Sequence, residues 1–253
     1  MSDLEKLDVL AVGAHPDDVE MSCGGTVCLL VDQGYRVGIV DLTRGELGSR
    51  GSADLRGKEA ERAREIMGVP VRINLGIPDG DIANTDANRR KLITVVRRYR
   101  PDIVLINPLE ERHPDHGDAG RLCMSAVFYS GLVRLETLDR DGVQEPWRPA
   151  HVMHYMQSLT FEPEVVIDVS SFWARRTKAV LAYSSQVHVE EYKETSDEPE
   201  TFISDPRFIQ FLEARARTFG FGIGAEYGEG YLYRYGPLGV SDLPAFLGTK
   251  RRV

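Results

Sequence analysis

Apolar positions along this chain fall into short unbroken runs separated by longer stretches of helical spacing. Leu7 to Ala14 is such a run, and Asp18 to Gly34 then sets Val19, Met21, Val27, Leu29 and Leu30 at helical intervals. Tyr35 to Thr43 is a β-branched run that ends in a polar, glycine-rich loop, and Ala53 to Met67 reads as a charged, alanine-rich helix. Val71 to Leu75 gives a third strand before the loop Gly76 to Asp81, a basic helix follows, and Asp102 to Asn107 gives a fourth strand before the loop Pro108 to Asp118. Parallel strands need a crossover long enough to hold a helix, so this alternation predicts an α/β fold. The expected architecture is a Rossmann-like three-layer sandwich with a mainly parallel sheet.

Beyond Pro149 the pattern is more variable. His151 to Gln157 and Val165 to Val169 read as later strands, with Phe172 to Ala182 and Phe208 to Phe219 as helices. Val187 to Asp205 is polar and acidic and reads as a mobile loop over or near the site. All 253 residues are taken as one domain, residues 1–135 forming the core that carries the candidate site and 150–253 the C-terminal part.

The net charge of -8 argues against a nucleic-acid partner, which would need a clustered cationic surface. The one basic run, Arg89 to Arg100, interleaves its cations with Leu92, Ile93, Val95 and Val96 at roughly helical spacing, so a solvated helix face outweighs a binding patch. Cys23, Cys28 and Cys123 are odd in number and lie on predicted helices, which fits a reducing compartment. The acidic start and short apolar runs predict neither a secretory signal nor a membrane span, so a cytoplasmic protein is expected.

In open parallel sheets, ligands bind beyond the carboxyl ends of the strands. Four loops occupy such positions: Ala14 to Asp18 (AHPDD), Thr43 to Gly51 (TRGELGSRG), Ile77 to Asp81 (IPDGD) and Arg112 to His116 (RHPDH). Two combine histidine with carboxylate, and doubly wound sheets commonly bring the first and fourth strands together. A hydrolytic zinc site takes three imidazole or carboxylate ligands and keeps a position for water. His15, Asp18 and His116 can supply the three, leaving Asp17, His113 and Asp115 adjacent and unligated for proton transfer and oxyanion stabilisation.

These motifs resemble the LmbE-like, or PIG-L-like, zinc N-deacetylases over nearly the whole chain, most closely the bacillithiol-biosynthesis branch that deacetylates N-acetylglucosaminyl malate. Supporting segments are Gly34 to Arg44 with the GELGSRG that follows, Leu55-Arg56 leading into Lys58 to Ala60, and Tyr227 to Tyr231. The resemblance implies His15, Asp18 and His116 as metal ligands, Asp17 as general base, His113 as the group that meets the oxyanion and protonates the leaving amine, and Asp115 as the orienter of a histidine. It implies Zn2+ as cofactor, although Fe2+ and other divalent metals suit the same ligands, and a homo-oligomer, with a hexamer as one form. Arg56 matches a substrate-contacting position, and its guanidinium suits the carboxylates of malate.

Arg44, Glu46, Ser49 and Arg50 are weighed evenly between substrate contact and a structural turn. For Asp79 and Asp81, in a PDG sequence, the turn is favoured, and His151, His154 and His188 lack partners at ligand spacing. GAHPDD in place of GxGxxG makes a dinucleotide unexpected. Two rival readings stay open: the same chemistry on another N-acyl amino sugar or thiol conjugate, and a non-catalytic sugar- or metal-binding module.

Overall fold

Alternation along the first strand seeds two cores. In β1 (Val9–Gly13), Val9 and Ala11 point to one face of the sheet and Leu10 and Val12 to the other, all buried. This is seen in a computed structural model that describes residues 6–234, apart from 141, 194 and 195, together with 236, 237, 239 and 241. One face is covered by α1 (Asp18–Asp32), α2 (Ala53–Met67) and α5 (Trp173–Leu181), through residues such as Val19, Ala63 and Ala179. The other is covered by α3 (Asp86–Tyr99) and α4 (Pro114–Ser130), through Leu92, Val96, Leu122 and Ala126. The expected three layers are therefore present.

With β2 (Val37–Asp41), β3 (Val71–Asn74), β4 (Ile103–Ile106), β7 (His151–Tyr155), β8 (Val165–Asp168) and β9 (Gly228–Tyr233), the main sheet runs in the order β3-β2-β1-β4-β7-β9-β8. Its first five strands are parallel, while β9 runs antiparallel to both β7 and β8. β1 and β4 are neighbours, in the register Val9 to Ile103, which brings the loops holding His15 and His116 side by side. A hairpin of β5 (Leu138–Asp139) and β6 (Gly142–Val143) stands apart from this sheet. Among the described residues no helix is long and apolar enough to cross a membrane, and the three cysteines are free and buried.

The basic run lies on α3, which starts one turn earlier than its cations, with Thr85 capping Asn88 N–H, and stops at Arg100 in the left-handed region before Pro101. Arg97 turns inward and donates to the carbonyls of Ser130, Leu132 and Leu135, satisfying groups at and beyond the end of α4.

α1 is broken at Cys23 (φ -139°) and restarts at once. The restart is capped from a distance: the Glu229 carboxylate, on β9, accepts Gly25 N–H at 2.9 Å, Thr26 N–H at 2.8 Å and the Thr26 hydroxyl at 2.7 Å. A Cβ at Gly25 would collide with both Val169 and this carboxylate, so glycine is required there. Glu229→Ala is expected to cost about 3 kcal/mol, because three buried donors lose their acceptor together; a denaturant midpoint equal to that of the parent would remove Glu229 from this account.

Segment 187–205 does more than connect. It contains α6 (Glu190–Lys193), buries Val187 and Ser204, and leads into α7 (Pro206–Ile223), whose Phe208 and Leu212 pack against Met21 of α1.

Candidate active site

At the carboxyl end of β1 the chain must leave the sheet and enter α1 within a few residues. Asp17 makes this turn at φ 122°, strained for a residue with a side chain, and its carbonyl accepts Met21 N–H. Asp18 opens the helix behind it. Beside them His113 caps α4, its Nδ1 accepting Asp115 N–H at 3.3 Å, with Pro114 in the first turn where its missing N–H costs nothing. The rings of His113 and His116 stack at 4.9 Å, and His15 lies 5.1 Å and 5.4 Å from them.

Two groups of ligand atoms lie within 4.8 Å of one another: His15, Asp18 and His116, and His15, His113 and Asp115. Hydrogen bonding favours the first. His15 Nε2 is already engaged by Asp79 Oδ1 at 3.0 Å and Asp115 Oδ2 at 3.2 Å, which leaves Nδ1 turned to Asp18 Oδ2 at 4.0 Å. Carboxylates behind an imidazole fix its tautomer and raise its basicity toward a metal on the other nitrogen. Asp18 meets His116 Nε2 at 3.2 Å and is steadied by Asn107 Nδ2, Gln157 Nε2 and His15 N–H.

The charge balance also fits a cation. Asp17, Asp18, Asp79 and Asp115 have side chains no more than 7% exposed, and one guanidinium, Arg56, is paired directly with the group. Burial would lower the His15 pKa, but Asp115 and Asp79 overcome it and hold it up near 10. Buried Asp18 is nevertheless held well below the usual carboxylate range by His116 and His15. Asp17 goes the other way: burial pushes it up to about 6, against the pull of Arg56. Burial, together with its two histidine neighbours, lowers His113.

Several expected contacts are placed differently. Arg56 lies against the site but its Nη2 donates to Asp17 Oδ2 at 2.6 Å, so its strongest partner is the expected base and not open space for substrate. Gly45, at φ 65°, lets it pass, since a Cβ there would strike its guanidinium. Arg50 turns away from the cavity to bind the carbonyls of Ser185 and Pro199, while Gly51 N–H donates to Glu198, so this end of the loop ties down segment 185–199. Arg44 pairs with exposed Asp54, and Glu46 accepts from Arg44 N–H and Asp79 N–H. Ser49 does line the cavity. Of the PDG carboxylates, Asp79 is corrected from turn to site residue, with Gly80 N–H donating to Asp115, whereas Asp81 is exposed. His151 and His154 bond to Tyr233 and the Asn107 carbonyl, and His188 to Glu190, outside the site.

The cluster forms the floor of a cavity of about 450 Å³. Its walls include Met21, Ile203, Phe208 and Leu212 on one side and Arg112, Gln157 and Arg215 among the polar groups. Gln157 follows β7 at a strand end, where a ligand-facing residue is expected; the α7 residues carried no such signal.

Comparison with known proteins agrees with this geometry. A sequence profile described as PIG-L: GlcNAc-PI de-N-acetylase matches residues 10–127. The chain is 33% identical to the diacetylchitobiose deacetylase of Thermococcus kodakarensis, over 70% of this chain and 69% of that protein. It is 28% identical to a probable N-acetyl-alpha-D-glucosaminyl L-malate deacetylase 2 of Bacillus cereus, over 70% and 83%. The solved structure of the conserved protein TT1542 from Thermus thermophilus superposes with a TM-score of 0.81 at 36% identity, covering 93% of this chain and 98% of that one. The chain therefore belongs to the PIG-L, or LmbE-like, family of de-N-acetylases, enzymes of the hydrolase class.

Proposed function

We propose that this protein is a zinc-dependent N-deacetylase that removes acetate from an N-acetylglucosamine conjugate, with N-acetylglucosaminyl malate as the first candidate. The observation that carries this reading is a largely buried His15–Asp18–His116 group flanked by two groups that a mere metal binder would not need, Asp17 and His113, all opening on one cavity. The divalent ion held there would polarise the acetamide carbonyl and acidify water.

Asp17 takes the proton from the attacking water. Arg56 fixes the orientation of its carboxylate through one oxygen, Oδ2. His113 Nδ1 is an acceptor for Asp115 N–H, so the neutral ring carries its proton on Nε2 and can donate it to the oxyanion that develops on the carbonyl. This assignment makes His113 an oxyanion donor and leaves Asp17, once protonated, to return the proton to the departing amine. Asp115 and Asp79 hold His15.

The test is acetate release from N-acetylglucosaminyl malate and N,N'-diacetylchitobiose by metal-loaded protein. Release from either supports deacetylation, and release from neither, across several divalent metals, would overturn it in favour of another acyl group or a binding module. His113→Ala should lower kcat by about 10²–10³-fold with metal content unchanged; turnover close to the parent's would remove His113 from the chemistry.

A further inference from the structure

Three arginines line the cavity: Arg56, Arg112 and Arg215. Arg56 is neutralised by Asp17. Arg112 is exposed at the rim, with its guanidinium 4.2 Å above the Phe202 ring. Arg215 is different. It lies on α7 in line with Leu212 and Phe208, one and two turns earlier, and this face of the helix lines the cavity. Its Nη1 donates to the backbone carbonyl of Gln157, and its guanidinium lies 5.4 Å from the Phe211 ring; among the described residues no carboxylate comes within ion-pair distance.

The surroundings sharpen the imbalance. Arg176, fully buried, contributes a second guanidinium nearby; it is tied to the Met21 carbonyl and its Nε has no partner. Both arginines feel Glu229, but that carboxylate is already committed to Gly25, Thr26 and the Thr26 hydroxyl. Glu111 also acts on Arg215 and Glu20 on Arg176, but Glu111 accepts the Ser158 and Leu159 amides, and among the described residues neither arginine forms an ion pair. Arg215 is half-buried on the cavity wall, so its guanidinium is partly desolvated without a counterion and would be stabilised by an anion that enters the cavity. The two other guanidiniums of α7 that have ion pairs, Arg207 with Asp205 and Arg217 with Glu213 and Glu226, find theirs at the surface.

We propose that Arg215 is the specificity residue of this pocket and binds a carboxylate or phosphate carried by the substrate's aglycone. The inference rests on the deacetylase reading and adds to it a preference for acid-bearing over neutral conjugates, with Arg215 and not Arg56 making the contact. The link to the chemistry is short. Gln157 receives Arg215 on its backbone oxygen and, through its side-chain amide, holds Asp18 Oδ1 at 2.9 Å, so cation and hydrolytic cluster are joined through a single residue in one cavity. A guanidinium suits the planar, two-oxygen face of a carboxylate.

The experiment compares kcat/KM for N-acetylglucosaminyl malate with that for N,N'-diacetylchitobiose in the parent, R215Q, R215K and R207Q. The ratio of acidic to neutral substrate should fall by about 10- to 100-fold in R215Q, chiefly through KM, fall less in R215K, and stay at the parental value in R207Q, which removes an equal charge from the same helix. A parental ratio in R215Q, or no preference for the acidic substrate in the parent, overturns the proposal. Calorimetric titration with glucosaminyl malate and with glucosamine reads the same preference without turnover. If no sugar is hydrolysed, the deacetylase reading fails, while a malate preference in that titration that R215Q abolishes still supports Arg215. Should R215Q fail to fold, R215K and the loss of the parent's titrated preference with rising salt decide the matter.

Discussion

Asp17→Asn is expected to lower kcat for deacetylation by about 10²–10⁴-fold while metal affinity stays within a few-fold of the parent. The substitution keeps the size and shape of the side chain and one acceptor oxygen, so it adds no steric conflict to the turn already strained at φ 122°. What is lost is the ability to take a proton. The carboxylate belongs to neither the favoured ligand group nor the alternative one, which is why metal binding and turnover should separate. A structural cost is also expected. Asp17 neutralises Arg56, whose side chain is 7% exposed, and a buried cation left facing a neutral amide destabilises the fold. Activity should therefore be measured well below the melting temperature of the variant, with metal content determined on the same sample. Near-parental kcat in a folded, metal-replete D17N protein would exclude Asp17 as the base.

Much of the fold could be read from the chain because it rests on local regularities. Val9 to Val12 alternate between two cores, the apolar stripe of α3 is periodic, and each crossover has room for a helix, so the parallel half of the sheet follows from the sequence pattern. The adjacency of β1 and β4, and with it the meeting of AHPDD and RHPDH, follows from doubly wound topology. The antiparallel edge was legible only in part: Val165 to Val169 reads as a strand, but nothing local sets its direction, and β9 is placed by contacts with residues some 200 positions away, such as Glu229 with Thr26.

What was not legible within the site has a common cause. Position in a strand-end loop does not say which way a side chain faces: Arg44, Glu46 and Arg50 share a loop with Ser49, yet Arg44 pairs with Asp54, Glu46 accepts the Arg44 and Asp79 amides, and Arg50 fastens a distant segment. Asp79 has the sequence of an ordinary turn, and only the approach of His15 from β1 gives it a role. Arg56 was expected to contact substrate and does line the cavity, but its pairing with Asp17, 39 positions away in sequence, was not legible.

Asp18→Ala should abolish metal binding at concentrations that saturate the parent, with an affinity loss of more than about 100-fold, since removing even a residue behind a ligand typically costs 10- to 100-fold. Thermal unfolding reads this directly. A metal that binds only the native state stabilises it by mass action, about 2.7 kcal/mol at a hundred times Kd, so the parent's melting temperature should climb with metal while that of D18A stays flat. Without metal the two effects of the substitution oppose each other: it relieves crowding among Asp17, Asp79 and Asp115 but strips Asn107, Gln157 and the His15 amide of their acceptor. The apo melting temperature is therefore the baseline for each variant, and the metal-induced shift is the quantity compared. The same titration separates the two possible ligand groups. If His15, Asp18 and His116 hold the ion, His116→Ala should behave like D18A and His113→Ala should keep the full shift. If the ion sits among His15, His113 and Asp115, the pattern inverts, because D18A then leaves all three ligands in place. That inversion would also end the assignment of His113 as oxyanion donor, because its Nδ1 accepts Asp115 N–H and the ring would have to meet the metal through Nε2, the nitrogen whose proton the mechanism uses.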